Sequence, residues 1–262
     1  MIAVIGAGAM GEVFVAGLLR AGTEPSRLVI SEKREERAQE VSQLHGVRAV
    51  SLAEAARESA TILLLVKPQD LPGVADEISP LISDGTVVIS LAAGVRLAAL
   101  ESRLPRAAVV RAMPNTPALV DLGITAISPG ASCSPQQVEY VESLLSAVGP
   151  VVRVPEDLQD AVTATSGSGP AYVFRLVEAM VAGAIELGVD PDVAHQLVTQ
   201  TVLGAAMVAA RPGADPAVLR TQVTSPGGTT AAALAVFDAG DLMGLVADAM
   251  RAARDRGREL GA

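Results

Sequence analysis

Residues 2–11 are Ile2-Ala3-Val4-Ile5-Gly6-Ala7-Gly8-Ala9-Met10-Gly11, and an apolar helical pattern continues from there to Gly22. The first four residues form a short, mostly β-branched run that predicts a buried strand. Gly6 permits a tight turn, Gly8 lets a pyrophosphate approach the backbone, and Gly11 lets helix and strand pack closely. A strand, this glycine spacing and a helix in succession therefore predict a dinucleotide-binding site at the start of the chain.

The second predicted strand ends at Ser31, where the adenosine ribose of such a cofactor binds. An NAD site carries an acid there, whereas an NADP site offers cations and small hydroxyls. The sequence continues Ser31-Glu32-Lys33-Arg34, with Arg37 one helical turn later. These residues favour NADP, with Ser31 at the tip of the strand and Lys33, Arg34 or Arg37 facing the 2′-phosphate; Ser31 and Arg34 are the ligands that we predict. Glu32 leaves NAD open, because its carboxylate suits a ribose 2′-hydroxyl, and an ordinary charged helix start is a further alternative.

Strand and helix patterns alternate as far as residue 154. Besides Ile2–Ile5, we predict strands at Leu28–Ser31, Val47–Val50, Thr61–Val66, Val87–Leu91, Val109–Met113, Ile124–Ser128 and Val151–Val154. Helices are predicted at Leu52–Glu58 and Pro135–Val148. The alternation predicts an α/β fold, with a Rossmann-type doubly wound sheet over residues 1–154. From residue 155 onward strand signals stop, and we predict an all-helical domain, residues 155–262, for substrate binding and dimerisation.

Ligands of doubly wound sheets bind at the carboxyl ends of the strands. Three predicted strands end in residues suited to a cofactor: Val66-Lys67-Pro68, Ala92, and Pro114-Asn115-Thr116-Pro117. Two prolines hold Asn115 in a rigid turn, where its amide suits a nicotinamide carboxamide or a substrate group. A solvated loop lysine at Lys67 and an Asx-turn closed by Asn115 are the alternatives.

Five helices are predicted in the C-terminal half, at Ala171–Leu187, Val193–Ala210, Ala217–Val223, Thr230–Ala239 and Leu242–Leu260. The first of them is apolar nearly all round, and such a helix needs burial on more than one face. A domain of this size does not surround several such helices by itself. We therefore expect a second copy of the chain to cover them, giving a homodimer.

Two stretches rich in glycine and hydroxyls precede helices in this half, Ser166–Tyr172 and Gln222–Thr230. The amides of residues 227–230 would point outward from a helix start, where the partial positive charge favours a carboxylate, and nearby hydroxyls add donors. The alternative is a well-capped helix after a tight turn. Glu156 opens an acidic helix start and is a candidate substrate contact, although the helix dipole alone favours acids there.

Composition limits the function classes. The chain has 262 residues, a formal charge of −9 and one cysteine, Cys133. The negative charge argues against nucleic acid or an anionic membrane as the main partner. The single cysteine excludes internal disulfides and suits a reducing compartment, and we interpret it as a structural thiol. No apolar run approaches the ~20 residues that span a bilayer. We expect a soluble, cytoplasmic protein without a metal site.

The inventory of acids and bases bears on the type of reaction. His45 and His195 are the two histidines, and both lie in helical patterns that favour structural or surface roles. Oxidation of an alcohol needs a general base to remove the hydroxyl proton, whereas a protonated imine accepts hydride directly. A poor set of acids and bases beside a dinucleotide site therefore favours imine reduction.

Five stretches together resemble the pyrroline-5-carboxylate reductase family over essentially the whole chain. They are Gly6–Gly11, Val66-Lys67-Pro68, Met113-Pro114-Asn115-Thr116-Pro117, the run from Asp160 to Tyr172, and Ser225–Thr230. The last two are specific to that family, and the first is shared by many dehydrogenases. The resemblance implies reduction of Δ1-pyrroline-5-carboxylate to L-proline with NADPH or NADH, the last step of proline biosynthesis. It also implies dimers that often assemble into decamers.

The resemblance also implies roles for single residues. Ser225, Gly228, Thr229 and Thr230 would hold the substrate carboxylate and ring nitrogen, with Ser225 and Thr230 as catalytic residues and Glu156 near the substrate. Hydride would go to C5 of the ring. With the strand-end residues chosen above, the predicted cofactor set is Gly6, Ala7, Gly8, Ala9, Met10, Gly11, Ser31, Arg34, Val66, Lys67, Pro68, Ala92, Asn115 and Gln222. Gln222 stands where the family commonly has Asn, which weakens its assignment.

Two other classes stay open. β-Hydroxyacid dehydrogenases and imine reductases share the two-domain plan, but the former need a catalytic lysine on the interdomain helix, and residues 171–187 contain none. A dinucleotide-binding sensor without turnover would keep Gly6–Gly11 but has little reason to keep two hydroxyl-rich turns.

Overall fold

The computed structural model describes residues 1–260, with the side chains of residues 1–259. The chain divides into two compact units. The sheet unit comprises residues 1–168 together with the C-terminal residues from 253, and the helical unit comprises residues 169–252.

Eight strands form one sheet in the sheet unit: β1 (Ile2–Ile5), β2 (Leu28–Ser31), β3 (Arg48–Ala49), β4 (Thr61–Leu64), β5 (Val87–Ser90), β6 (Ala108–Met113), β7 (Thr125–Pro129) and β8 (Val151–Arg153). Their spatial order is β3-β2-β1-β4-β5-β6-β7-β8, and neighbours are parallel except β6 and β7. The predicted strands are confirmed, with ends shifted by at most two residues. The order reverses between β1 and β4, which is where ligands of open α/β sheets bind.

Helices cover both faces of the sheet, as a doubly wound fold requires. The helices are α1 (Ala9–Arg20), α2 (Glu35–His45), α3 (Leu52–Glu58), α4 (Leu71–Ile78), α5 (Leu97–Arg103) and α6 (Pro135–Leu145). One buried cluster joins the sheet to α1, α2 and α6, and a second joins its other face to α3, α4 and α5. Each fully buried aliphatic side chain stabilises the fold by ~1.5–3 kcal/mol. Most of the stability of this unit therefore comes from the strands and the inner helix faces.

Residues 155–168 follow the last strand and pack onto the sheet unit. They contain the short helix α7 (Gln159–Val162) and one π-helical turn, Thr163–Gly167. The Nε2 atom of Gln159 donates to Ser128 Oγ on β7 at 2.8 Å. These contacts place residues 155–168 in the sheet unit, so the compact units do not divide where the last strand ends. The predicted domains, residues 1–154 and 155–262, stay a prediction.

The helical unit contains α8 (Gly169–Glu186), α9 (Pro191–Ala209), α10 (Pro216–Gln222), α11 (Thr229–Ala239) and the first part of α12 (Leu242–Leu260). The predicted helices are confirmed, again with ends shifted by at most two residues. Asp190 and Asp215 cap α9 and α10, and each carboxylate accepts two backbone N–H bonds. Both caps are followed by proline, which suits the first helical position.

The helices of this unit expose much apolar surface in the single chain. No residue of α8, α10 or α11 is buried, and Phe174 and Val236 are 62% and 72% exposed. Within residues 1–260, no helix taken singly has the length and apolar character needed to cross a membrane. The consecutive helices Thr229–Ala239 and Leu242–Glu259 meet those two criteria only as a bent pair.

Candidate cofactor and substrate sites

The glycine turn after β1 has the geometry of a dinucleotide site. Gly6 has a φ of +94°, and a Cβ there would lie 2.7 Å from the carbonyl oxygen of Leu65. A Cβ on Gly11 would overlap the carbonyl oxygen of Gly6. The turn and the close packing predicted for these two glycines are therefore confirmed. A Cβ on Gly8 would meet no atom within 4 Å, so the backbone is open to a ligand there.

Helix α1 begins directly beside this opening. Its N-cap is Gly8, and no side chain caps the helix start. The first amides of α1 have no acceptor within the helix and attract an anion. The open approach at Gly8 and the uncapped helix start fit the pyrophosphate of a dinucleotide, and residues 6–11 would hold it.

Arg37 fixes the glycine turn from the outside. Its Nε donates to the carbonyl oxygen of Ala7 at 3.0 Å, its Nη1 donates to Glu40 at 2.8 Å, and its Nη2 pairs with Glu12. The Nε2 atom of His45 lies 3.2 Å from the same Glu12 carboxylate. The sequence makes Arg37 one of three candidate cations for a 2′-phosphate, together with Lys33 and Arg34. Its guanidinium is instead engaged with the protein, a role that its position four residues after Lys33 does not reveal.

At the tip of β2, Glu32 and Arg34 are hydrogen-bonded to each other but differ in their exposure to solvent. One oxygen of Glu32 accepts hydrogen bonds from both the backbone N–H and the Nε of Arg34, each at 3.1 Å. The Glu32 side chain is 9% exposed, whereas that of Arg34 is 67% exposed. Ser31 is buried, and its carbonyl oxygen accepts the N–H of Gly6 at 2.8 Å. The exposed cations at this position are Arg34 and the neighbouring Lys33.

The other predicted cofactor residues follow neighbouring strands at the same edge of the sheet. Val66, Lys67 and Pro68 follow β4, Ala92 follows β5, and Asn115 follows β6. Since β1, β4, β5 and β6 are parallel neighbours, these residues share the edge of the glycine turn. Asn115 Oδ1 accepts the N–H of Ile124 at 2.9 Å, so its amide oxygen closes a loop. Contact of these residues with a cofactor stays a prediction.

Glu156 also lies in the sheet unit, and protein donors surround it. Its Oε1 atom accepts the N–H of Leu97 at 2.6 Å and an Nη1–H of Arg111 at 3.2 Å. Arg111 is 5% exposed on β6 and also faces Asp160, 3.5 Å away. Sequence reasoning missed Arg111, although a charged residue inside an otherwise apolar strand was a visible signal. A direct contact of Glu156 with substrate stays a prediction.

The remaining predicted residues lie in the helical unit. Gln222 ends α10, and α11 begins directly after Gly228. Gly227 has a φ of +70°, and the N–H of Gly228 donates to the carbonyl oxygen of Ser225 at 3.0 Å. No side chain caps α11, but its N-cap is Gly228, a residue type that suits this position, so the alternative of a well-capped helix after a tight turn stays open. Among the described side chains, the hydroxyls of Ser225, Thr229 and Thr230 make no hydrogen bond to the protein, and the Ser225 hydroxyl lies next to Gly228.

A doubly wound sheet with this glycine turn, followed by a helical unit with a donor-rich helix start, defines a nicotinamide-dinucleotide-dependent oxidoreductase. The family model "Pyrroline-5-carboxylate reductase dimerisation" matches residues 156–260, and the model "NADP oxidoreductase coenzyme F420-dependent" matches residues 1–94. The pyrroline-5-carboxylate reductase of Mycobacterium tuberculosis strain H37Rv is 41% identical over 99% of this chain and 96% of its own length. The chain belongs to the pyrroline-5-carboxylate reductase family.

Solved structures agree with this assignment. A pyrroline-5-carboxylate reductase from Coxiella burnetii superposes with a TM-score of 0.95 at 36% identity, covering 100% of this chain and 98% of that one. The pyrroline carboxylate reductase of Plasmodium falciparum, solved with NADP bound, superposes with a TM-score of 0.87 at 26% identity and the same coverage.

The Arg37–Glu12 pair predicts a specific acid sensitivity. The hydrogen bond from Arg37 is the main cause that holds the pKa of Glu12 below its ordinary value of 4.5, against the opposing effect of burial. Because the unfolded chain binds the proton more readily, this contribution to stability is complete above pH 4.5 and is lost as the pH falls through the lower folded pKa. We expect Arg37→Gln to weaken the dependence of the free energy of unfolding on pH below 4.5.

Urea denaturation at a series of pH values measures this dependence. The control is Arg57→Gln, which removes an exposed arginine that has no ion-pair partner within residues 1–260 and should keep the wild-type dependence. Equal pH dependence in Arg37→Gln and wild type would contradict the prediction.

Proposed function

We propose that this protein reduces Δ1-pyrroline-5-carboxylate to L-proline with NADPH, as an oxidoreductase acting on a CH–NH group in the last step of proline biosynthesis. The observation that carries the proposal is the full-length likeness to reductases of that name, at 41% identity over 99% of the chain. In this proposal, the glycine turn of the sheet unit and the donor-rich start of α11 would be the two anion sites that the reaction needs.

The sheet unit would hold the cofactor. Residues 6–11 would bind the pyrophosphate, and Ser31 with Arg34 would bind the 2′-phosphate. Arg34 engages one oxygen of the Glu32 carboxylate, and the Glu32 side chain is mostly buried, which supports a 2′-phosphate over a 2′-hydroxyl at this position. NADPH, when bound, supplies the hydride that is added to C5 of the protonated imine. Val66, Lys67, Pro68, Ala92 and Asn115 would line the rest of the cofactor, with Gln222 from the helical unit.

The helical unit would hold the substrate. The amides of Gly228, Thr229 and Thr230 would bind the carboxylate at the helix start, where the dipole favours an anion. Ser225 and Thr230 would act as catalytic residues by hydrogen-bonding the substrate, with Thr230 on the ring nitrogen. Orientation of this kind can supply ~7–11 kcal/mol of the barrier reduction. No strong general base is needed, because the imine is already protonated.

Oligomerisation follows from the surface of the helical unit. Large apolar side chains of α8, α9, α11 and α12 are exposed in the single chain, and a patch of this kind marks an interface. We propose a homodimer that buries these helices and that assembles further into a decamer.

We also propose that the protein is cytoplasmic, where the free thiol of Cys133 stays reduced. Burial raises the pKa of that thiol, which donates to the carbonyl oxygen of Val109.

The reaction itself can be measured directly. We expect purified protein to oxidise NADPH, followed by absorbance, when Δ1-pyrroline-5-carboxylate is added. We also expect it to prefer NADPH to NADH, because the exposed Arg34 and Lys33 lie at the tip of β2. A panel of β-hydroxyacids tests whether the protein is a β-hydroxyacid dehydrogenase. That class needs a catalytic lysine on the interdomain helix, and α8 contains no lysine. Turnover of a hydroxyacid but not of the imine would contradict the proposal, and binding of NADPH without any turnover would support the sensor alternative.

Thr230→Ala tests the substrate site. We expect kcat/KM for the imine to fall about ten-fold or more, a loss of at least ~1.4 kcal/mol, because the variant loses the contact to the ring nitrogen. The matched control is Thr199→Ala, since the Thr199 hydroxyl bonds only to carbonyls of its own helix. Wild-type kinetics in Thr230→Ala would remove Thr230 from the site.

Light scattering at micromolar concentration tests the dimer. We expect at least twice the mass of one chain for the wild type, and a shift toward the monomer for Phe174→Asp, because a charge would be buried in the interface. Gln39→Asp adds the same charge to an exposed position of α2 and should leave the mass unchanged. A monomeric wild type would contradict the proposed assembly.

A further inference from the structure

Arg111 is a buried cation between two carboxylates in the sheet unit. It is 5% exposed, its Nη1 lies 3.2 Å from Glu156 Oε1, and its Nη2 lies 3.5 Å from Asp160 Oδ1. A buried guanidinium is tolerated only when acceptors compensate it. The arginine therefore orients both carboxylates, and Arg258 of α12 stands 4.0 Å from the other oxygen of Asp160.

The same oxygen of Glu156 accepts the backbone N–H of Leu97 at 2.6 Å. Leu97 is the first residue of α5, and residues 91–96 connect it to the end of β5. The amide at a helix start has no partner within the helix, and a carboxylate is favoured there. Glu156 thus holds the far end of the turn that begins at the ligand-binding edge of the sheet and contains Ala92.

The segment that carries Glu156 is itself anchored. Gln159 Nε2 donates to Ser128 Oγ at 2.8 Å, and that hydroxyl donates to the carbonyl oxygen of Val154 at 2.8 Å. Both bonds fasten residues 154–159 to β7. Because the Glu156 carboxylate is anchored in this way, the hydrogen bond that it accepts from the Leu97 N–H can restrain residues 91–96.

We propose that Glu156 is a positioning residue of the reductase. Oriented by Arg111, its carboxylate fixes the amide of Leu97 and so places residues 91–96 against the cofactor. The inference rests on the proposed function in one respect, namely that Ala92 lines NADPH. It assigns to Glu156 an effect on cofactor binding, which a direct contact with the imine would not produce.

The first test measures the dissociation constant of NADPH for two variants of Glu156. The chain has no Trp, so binding is followed by the fluorescence of the cofactor itself. We expect Glu156→Ala to weaken NADPH binding about ten-fold, because the hydrogen bond to a charged acceptor is lost and the turn is released. Glu156→Gln keeps an oxygen for the Leu97 amide and should recover most of that affinity.

The second test removes the donor instead of the acceptor. Leu97→Pro deletes one N–H at the first helical position, where proline is tolerated, and Arg96 already has a φ of −82° and a ψ of 150°, which suit a residue before proline. Leu97→Ala is the matched control, since it loses the side chain but keeps the amide. We expect weaker NADPH binding in Leu97→Pro than in Leu97→Ala. Adding Glu156→Ala to Leu97→Pro should weaken NADPH binding little further, because both substitutions remove the same hydrogen bond between the Leu97 N–H and Glu156.

The outcomes separate this inference from the proposed function. An unchanged NADPH dissociation constant in Glu156→Ala, with a raised KM for the imine, would overturn the inference and support a direct substrate contact. Equal NADPH affinity in Leu97→Pro and Leu97→Ala would also overturn it, and this comparison remains decisive if Glu156→Ala fails to fold. A wild type that binds NADPH but leaves the imine unreduced would overturn the proposed function, while the expected affinity changes would still support the positioning role.

Discussion

No side chain fits between Gly11 and the carbonyl oxygen of Gly6, and the arrangement of the proposed cofactor site depends on this close approach. It brings the start of α1 directly against the end of β1, so the uncapped amides of the helix and the carboxyl edge of the sheet form one surface. Because β1, β4, β5 and β6 are parallel neighbours, the turns that follow all four strands reach that surface. A larger residue at position 11 would move the helix start away and separate the phosphate site from the other strand ends.

Much of the fold could be predicted because its determinants are local. The strands are short apolar runs bounded by glycine, proline or charge, and a parallel sheet covered on both faces leaves them little alternative to burial. The glycine turn and the start of α11 are also local, since the residues that shape each lie within about ten positions of one another. Glycine permits the positive φ angles at Gly6 and Gly227. Glycine at the N-cap, Gly8 for α1 and Gly228 for α11, leaves both helices without a side-chain cap.

The bonds that organise the rest of the edge join residues far apart in sequence. Arg37 reaches Ala7, and Glu156 reaches Leu97 and Arg111. Propensity and spacing carry no information about such pairs, so the sequence does not reveal that Arg37 bonds to Ala7 or that Glu156 bonds to Leu97 and Arg111. The antiparallel pairing of β6 with β7 and the packing of residues 155–168 on the sheet likewise depend on tertiary contacts. The sequence does contain one sign of this charge network, because Arg111 is a charged residue inside an otherwise apolar strand.

An acidic chain that binds anionic ligands must keep its own carboxylates from repelling them. With a formal charge of −9, long-range attraction does not help, and the binding sites depend on donors within a few ångströms. Glu12 lies in the first turn of α1, Glu32 at the tip of β2, and Glu156 behind the β5 turn. Each is paired with an arginine, namely Arg37, Arg34 and Arg111. These pairs leave backbone amides, hydroxyls and exposed cations such as Arg34 and Lys67 as the groups that a phosphate would meet at this edge.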